Sequence, residues 1–161
     1  MAFKLATNHI GFQALADTST TQRHALGTIV KGVGDDGEGE GEFIYLLGVG
    51  STAVGSWVTY NMDDGSTTLI APNAIGPVAV AMSANVANQY GWYQIQGKAS
   101  AKAAVVSDNG KVYIDTVAGL CDDAVVAGDK VHNAKWASTT TASGNLAEVE
   151  IARPFCTDES T

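Results

Sequence analysis

From Leu26 to Ile151 one pattern repeats: a short apolar run closed by Gly, Asn or Asp. The runs are Leu26–Val30, Glu42–Leu47, Ser56–Asn61, Thr67–Ala71, Val78–Ser83, Gly91–Gln96, Ala103–Val106, Lys111–Thr116, Val125–Val131 and Leu146–Ile151. Between them stand Asp36-Gly37, Gly48-Val49-Gly50, Asp64-Gly65, Gly76-Pro77, Gly97, Gly110, Gly119, Gly128-Asp129 and Gly144-Asn145. Such runs are too short for ordinary helices. Strand-length segments at roughly 8–12-residue spacing, each followed by a turn signal, predict an all-β fold. The expected architecture is a compact antiparallel β-sandwich or barrel, jelly-roll-like or β-tulip-like, with an extended N-terminal arm.

Two segments carry this reading furthest. Asn109-Gly110 lies between two strand-like runs and predicts a type I′ turn, which needs positive φ at both central residues. Leu146–Ile151 alternates with period two: Ala147, Val149 and Ile151 share one face, Glu148 and Glu150 the other. Only 84–89 and 139–142 leave room for a helical turn within the β-domain. The chain divides into an arm over 1–24, a β-domain over 25–157 and a short acidic tail over 158–161. The arm holds Phe3, Leu5, Ile10, Phe12 and Leu15, with a short helix possible through 13–16, and then a polar run from Asp17 to Gln22. Terminal segments stay mobile unless tied down, so these apolar residues ask for a docking surface, on a partner or on the domain itself. As a clasp over a neighbour, the arm would add little to the stability of the isolated domain.

Charge narrows the function. Nine Lys and Arg stand against 17 Asp and Glu, a formal net charge of −8. A protein that neutralises phosphates brings excess positive charge, so nucleic acid and anionic membrane are not expected as partners. No apolar stretch approaches the roughly 20 residues of a membrane helix. Met1-Ala2-Phe3-Lys4 does not open a signal peptide. Two cysteines, Cys121 and Cys156, with no Asn-x-Ser/Thr sequon predict reduced thiols in a protein made in a cytoplasm.

Chemical motifs are sparse. Gly32–Gly37 fits G-x-G-x-x-G and Gly48–Ala53 its Ala-ending variant. A dinucleotide site needs a helix N-terminus directly after the glycines, whereas here Glu38, Glu40 and Glu42 follow the first and a strand-like segment follows the second. Five acidic residues within 35–42, interleaved with three glycines, lack the spacing of an EF-hand loop and read as a solvated loop. Cation binding and docking on a basic patch are the other readings of that loop. His9, His24 and His132 are isolated, and the cysteines lack C-x-x-C spacing. Asp63-Asp64 and Asp122-Asp123 adjoin turn positions and are expected to shape turns. No catalytic residue, cofactor or metal is expected.

Aromatic residues cluster at Tyr90-Gly91-Trp92-Tyr93. Neighbouring residues of a strand face opposite sides, so at least one ring is expected outside the domain's own core. The expected subunit or capsid interface is therefore Phe3, Leu5, Ile10, Phe12 and Leu15 of the arm with Tyr90, Trp92 and Tyr93. A sugar-stacking role for Trp92, Tyr93 or Trp136 is the alternative.

The stretches Leu26–Lys31, Gly41–Leu46, Gly55 with Val58–Asn61, Gln89–Gly97 and Val149–Phe155 resemble small tailed-phage head decoration, or cement, proteins. The resemblance covers 26–155 in order. It implies a β-rich, non-enzymatic protein on the outer surface of an HK97-type capsid, binding the major capsid protein as a homo-oligomer, a trimer in preference to a dimer. A head fibre or host-glycan-binding domain is the alternative virion role.

Overall fold

The structure is a computed structural model and describes residues 2–6, 11–35 and 37–159. Among the described residues there are twelve strands and no helix: β1 (Phe3–Leu5), β2 (Thr18–Ser19), β3 (Ile29–Gly34), β4 (Glu40–Leu47), β5 (Trp57–Tyr60), β6 (Thr67–Leu69), β7 (Gly76–Ala81), β8 (Tyr90–Ala103), β9 (Lys111–Ile114), β10 (Cys121–Asp122), β11 (Lys130–Trp136) and β12 (Asn145–Cys156). The all-β expectation holds. All strands belong to one sheet, and its path closes on itself through β8, β10, β9, β11 and back to β12, which pairs β8 along Asn145↔Ala103 to Ala152↔Gln96. The pairing is not wholly antiparallel, because β10 runs parallel to β8 at Cys121↔Ala103.

β8 organises the molecule. Its first half pairs β4 (Leu47↔Tyr90 to Glu42↔Gln96) and β7, and its second half pairs β12. The change of partner falls at Gly97, whose φ is +99°. A Cβ there would stand 2.7 Å from the Glu40 carbonyl oxygen, so only glycine lets the strand turn so close to its neighbour. β12 bends in the same neighbourhood at Arg153 (φ 51°) and ends against β7 at Phe155↔Pro77 and Cys156↔Gly76.

Both faces of the central strands are covered. Trp57, Val78, Val80, Ala99, Ala101, Val112, Ile114, Trp136, Val149 and Cys156 belong to the largest core cluster. Alternate residues of the same strands, Val58, Ala79 and Ala81, join Ile44, Leu46, Tyr93 and Ile95 in a second cluster. Phe43, Tyr45 and Trp92 form a third with Phe3 and Leu15. In β12 the alternation is as expected: Ala147, Val149 and Ile151 are buried while Glu150 is exposed.

The structure corrects several local expectations. Asn109-Gly110 closes no two-residue hairpin, since the run before it does not pair with β9. Only Asn109 has positive φ, in a turn fastened by the Gly110 N–H to the Ser107 carbonyl at 3.0 Å. Gly97 sits inside a 14-residue strand rather than ending one. The run at 125–131 is mostly loop, with Val125 and Val126 exposed and β11 beginning only at Lys130. No helical turn forms at 13–16, 84–89 or 139–142.

Candidate functional site

The described part of 2–24 is not an extended arm. It lies as a strap over the outer face of β4 and β8, tied at both ends by strand pairing: Phe3↔Gly34 to Leu5↔Gly32 in β1, and Thr18↔Gly91 with Ser19↔Tyr90 in β2. The physical reason is that Phe43, Tyr45 and Trp92 point away from the second cluster and need cover. Phe3 meets Phe43 edge-on with ring centroids 5.2 Å apart, and Leu15 is only 3% exposed. Gly32 makes room, since a Cβ on it would lie 2.8 Å from the Phe43 ring and 2.9 Å from Leu15.

Gln13 is the hub of the strap. Its Nε2 donates to the carbonyls of Asp17 (2.8 Å) and Tyr90 (3.0 Å), and its Oε1 accepts from the Tyr45 hydroxyl at 3.0 Å. Its backbone carbonyl accepts from Trp92 Nε1 at 3.0 Å, and its backbone N–H donates to His24 Nε2 at 3.2 Å. The buried amide is therefore fully satisfied, the condition under which a polar side chain in a core specifies one arrangement. The His24 ring packs among Phe12 (4.5 Å), Tyr45 (4.9 Å, near-perpendicular) and Trp92 (5.4 Å). Neither Gln13 nor His24 was legible as a site residue, because no local motif marks a contact made through tertiary packing.

Because Nε2 accepts, the imidazole is neutral with its proton on Nδ1. Burial, with the Arg23 charge beside it, pushes the His24 pKa below its ordinary value. A base whose folded pKa is depressed contributes stability above its unfolded pKa of about 6.5, and that stability is lost as pH falls from there through the folded value. The expected loss is the Gln13–His24 hydrogen bond, worth about 1 kcal/mol. Melting curves between pH 7.5 and 5 should fall more steeply for the wild-type chain than for His24→Phe. Parallel curves would remove His24 as the cause.

The expected interface residues are thus mostly spent within one chain. Phe3, Leu15, Trp92 and Tyr93 are buried; Leu5, Phe12 and Tyr90 are half-buried; Ile10, like His9, lies outside the described residues. Trp92 and Tyr93 do face opposite sides, and both are fully buried because the strap covers one face and the β5–β7 side of the sheet the other. The Tyr93 hydroxyl bonds Asn85 Nδ2 at 3.1 Å, and burial raises its pKa. Trp57, Trp92 and Trp136 are each fully buried, so none presents a ring to a sugar. What stays open beside the strap is a groove of about 350 Å³ bordered by Leu5, Phe12, Ile29 and Val30.

Other reactive groups are held structurally. Burial pushes the Cys156 thiol up to about 11 and holds the Cys121 thiol well above its ordinary value, so both are protonated and inert at neutral pH. His132 Nε2 is 3.4 Å from Thr157 Oγ1. Asp64, Asp122 and Asp123 each accept a backbone N–H, from Ser66, Ala124 and Ser107 at 2.9–3.1 Å, which is turn chemistry. In the acidic loop Asp35 pairs with Lys4 at 3.0 Å and Glu42 with Arg153. Among the described residues, no group of three or more His, Cys, Asp or Glu is placed to hold a metal ion. No family model, curated protein or solved structure matches the chain.

Proposed function

We propose that the chain is a structural virion protein that decorates the outer surface of a tailed-phage capsid and cements neighbouring major capsid protein subunits. It is made in the host cytoplasm and acts as a homo-oligomer, a trimer in preference to a dimer. The resemblance of five stretches to head decoration proteins supports this reading, as does the net charge of −8, which suits an outer shell surface better than a DNA-facing one.

The observation that carries it furthest is the edge-strand pairing of β1 on β3. An N-terminal strand that completes the edge of its own sheet uses the chemistry by which strands are added between chains. The same pairing exchanged onto a neighbour, with the groove at Leu5, Phe12 and Ile29 as flanking contact, would link subunits across a lattice. Many such contacts act together, since each bound copy raises the effective concentration for the next.

Co-sedimentation with emptied, expanded capsid shells tests the proposal. Binding is expected to saturate at a fixed ratio per hexamer and to fall at least tenfold in Leu5→Asp with Ile29→Asp, two side chains that are not fully buried. Failure to bind any expanded shell, with the chain folded, would end this reading.

A further inference from the structure

An open groove of about 560 Å³ lies along β11, bordered by Lys111, Lys130, His132, Asn133, Lys135 and Glu150. Irregular pairing on both sides of β11 makes it: the register with β12 shifts between His132 and Ala134, and that with β9 between Lys130 and Lys135. Asn133, at φ 59°, stands at the bulge. β9 sets Lys111 directly opposite Lys135, a pairing of like charges that costs stability unless an anion answers it. Lys135 is answered by Glu150 at 3.1 Å, and its Nζ donates to Asn109 Oδ1 at 3.2 Å. Lys111 and Lys130 are exposed and, among the described residues, make no ion pair. Three of the chain's seven lysines thus meet in one groove of a molecule whose net charge is −8.

A contact between two copies of so acidic a chain needs a cationic surface to meet an anionic one. The anionic surface is the segment Gly37-Glu38-Gly39-Glu40, which leads into β4 and in which Glu40 is exposed and Glu38 half-buried. A Cβ at Gly37 or Gly39 would meet nothing within 4 Å, so the segment stands clear of the rest of the chain at both glycines. We propose that the groove on β11 receives this segment from a second copy of the chain, with Glu38 and Glu40 against Lys111 and Lys130. Glycine at alternate positions keeps the segment thin enough to enter a groove walled by long side chains. Within one chain β8 and β12 stand between β4 and β11, about 14 Å of sheet, so the segment does not fill its own groove. The inference rests on the homo-oligomer of the proposed reading and makes no use of the capsid.

Sedimentation velocity of the purified full chain in about 0.1 M salt, where repulsion beyond about 10 Å is screened, tests it without any capsid. The wild-type chain is expected to self-associate in a concentration-dependent way. Lys111→Glu with Lys130→Glu should weaken that association by about tenfold or more, and so should Glu38→Lys with Glu40→Lys. Net charge alone predicts otherwise, since the first pair makes the chain more negative and the second less. All four substitutions together leave the net charge at −8 and should restore association with the ion pairs reversed. A wild-type chain that stays monomeric would overturn the proposal. So would association that Glu38→Lys with Glu40→Lys strengthens or leaves unchanged, or a folded fourfold variant that does not associate. The Glu38 and Glu40 pair decides the matter alone if a groove variant does not fold. A chain that self-associates as expected yet binds no expanded shell would fail the virion reading only.

Discussion

Deleting residues 1–16 should lower the melting temperature of the isolated chain by about 10–20 °C. As a clasp reaching over a neighbour, this segment would have been dispensable for stability; as a strap, it is part of the core. Phe3 and Leu15 are each worth about 1.5–3 kcal/mol on burial. Their loss also uncovers Phe43, Tyr45 and Trp92 and strands the Trp92 indole N–H, which donates to the Gln13 carbonyl. Together these losses come to about 5 kcal/mol, and for a domain of this size each kcal/mol moves the midpoint by about 2–4 °C. Calorimetry or near-ultraviolet circular dichroism reads the change. A midpoint within about 3 °C of the full chain would mean that the strap does not cover β4 and β8 in solution.

The second large effect is expected from Trp57→Ala, at about 3–5 kcal/mol. Trp57 and Trp136 meet edge to face at 6.0 Å in the largest core cluster, and both are fully buried. The Trp57 indole donates to the Lys102 carbonyl of β8 and the Trp136 indole to the Asp122 carbonyl of β10, each at 3.0 Å. The pair therefore ties β5 to β8 and β11 to β10 through the core. Val125→Ala, at a side chain 79% exposed, is the control and should stay within about 0.5 kcal/mol of the parent chain. A denaturant midpoint for Trp57→Ala close to that control would show that the cavity collapses without cost.

The fold was legible where a strand has one wet face. Glu148 and Glu150 betray the orientation of β12 because water keeps them on one side. Legibility failed where tertiary context overrides local signals. Gly97 carries the mark of a turn, yet its lack of a side chain serves close approach between β8 and β4. Strand alternation alone sets Trp92 and Tyr93 on opposite faces, but the sequence does not reveal that a distant segment covers one of them. The valines at 125 and 126 have strand propensity, which is a statement about half-buried pleated surfaces and has no force where the chain is solvated. Of the site, Leu5, Phe12 and Tyr90 keep partial exposure, while the hub at Gln13 and the buried, unpartnered Oε1 of Gln94 depend on partners as far as 79 residues away or on none at all.

The closing of the sheet through β12 has a bearing on biogenesis. β12 pairs with β7, β8 and β11, so three strands synthesised earlier keep open edges until it emerges from the ribosome. Contacts at such long sequence separation make for slow folding, and open edges meanwhile invite pairing with other nascent chains. A chain translated in many copies at once is therefore at greatest risk of aggregation in the interval just before β12 is released.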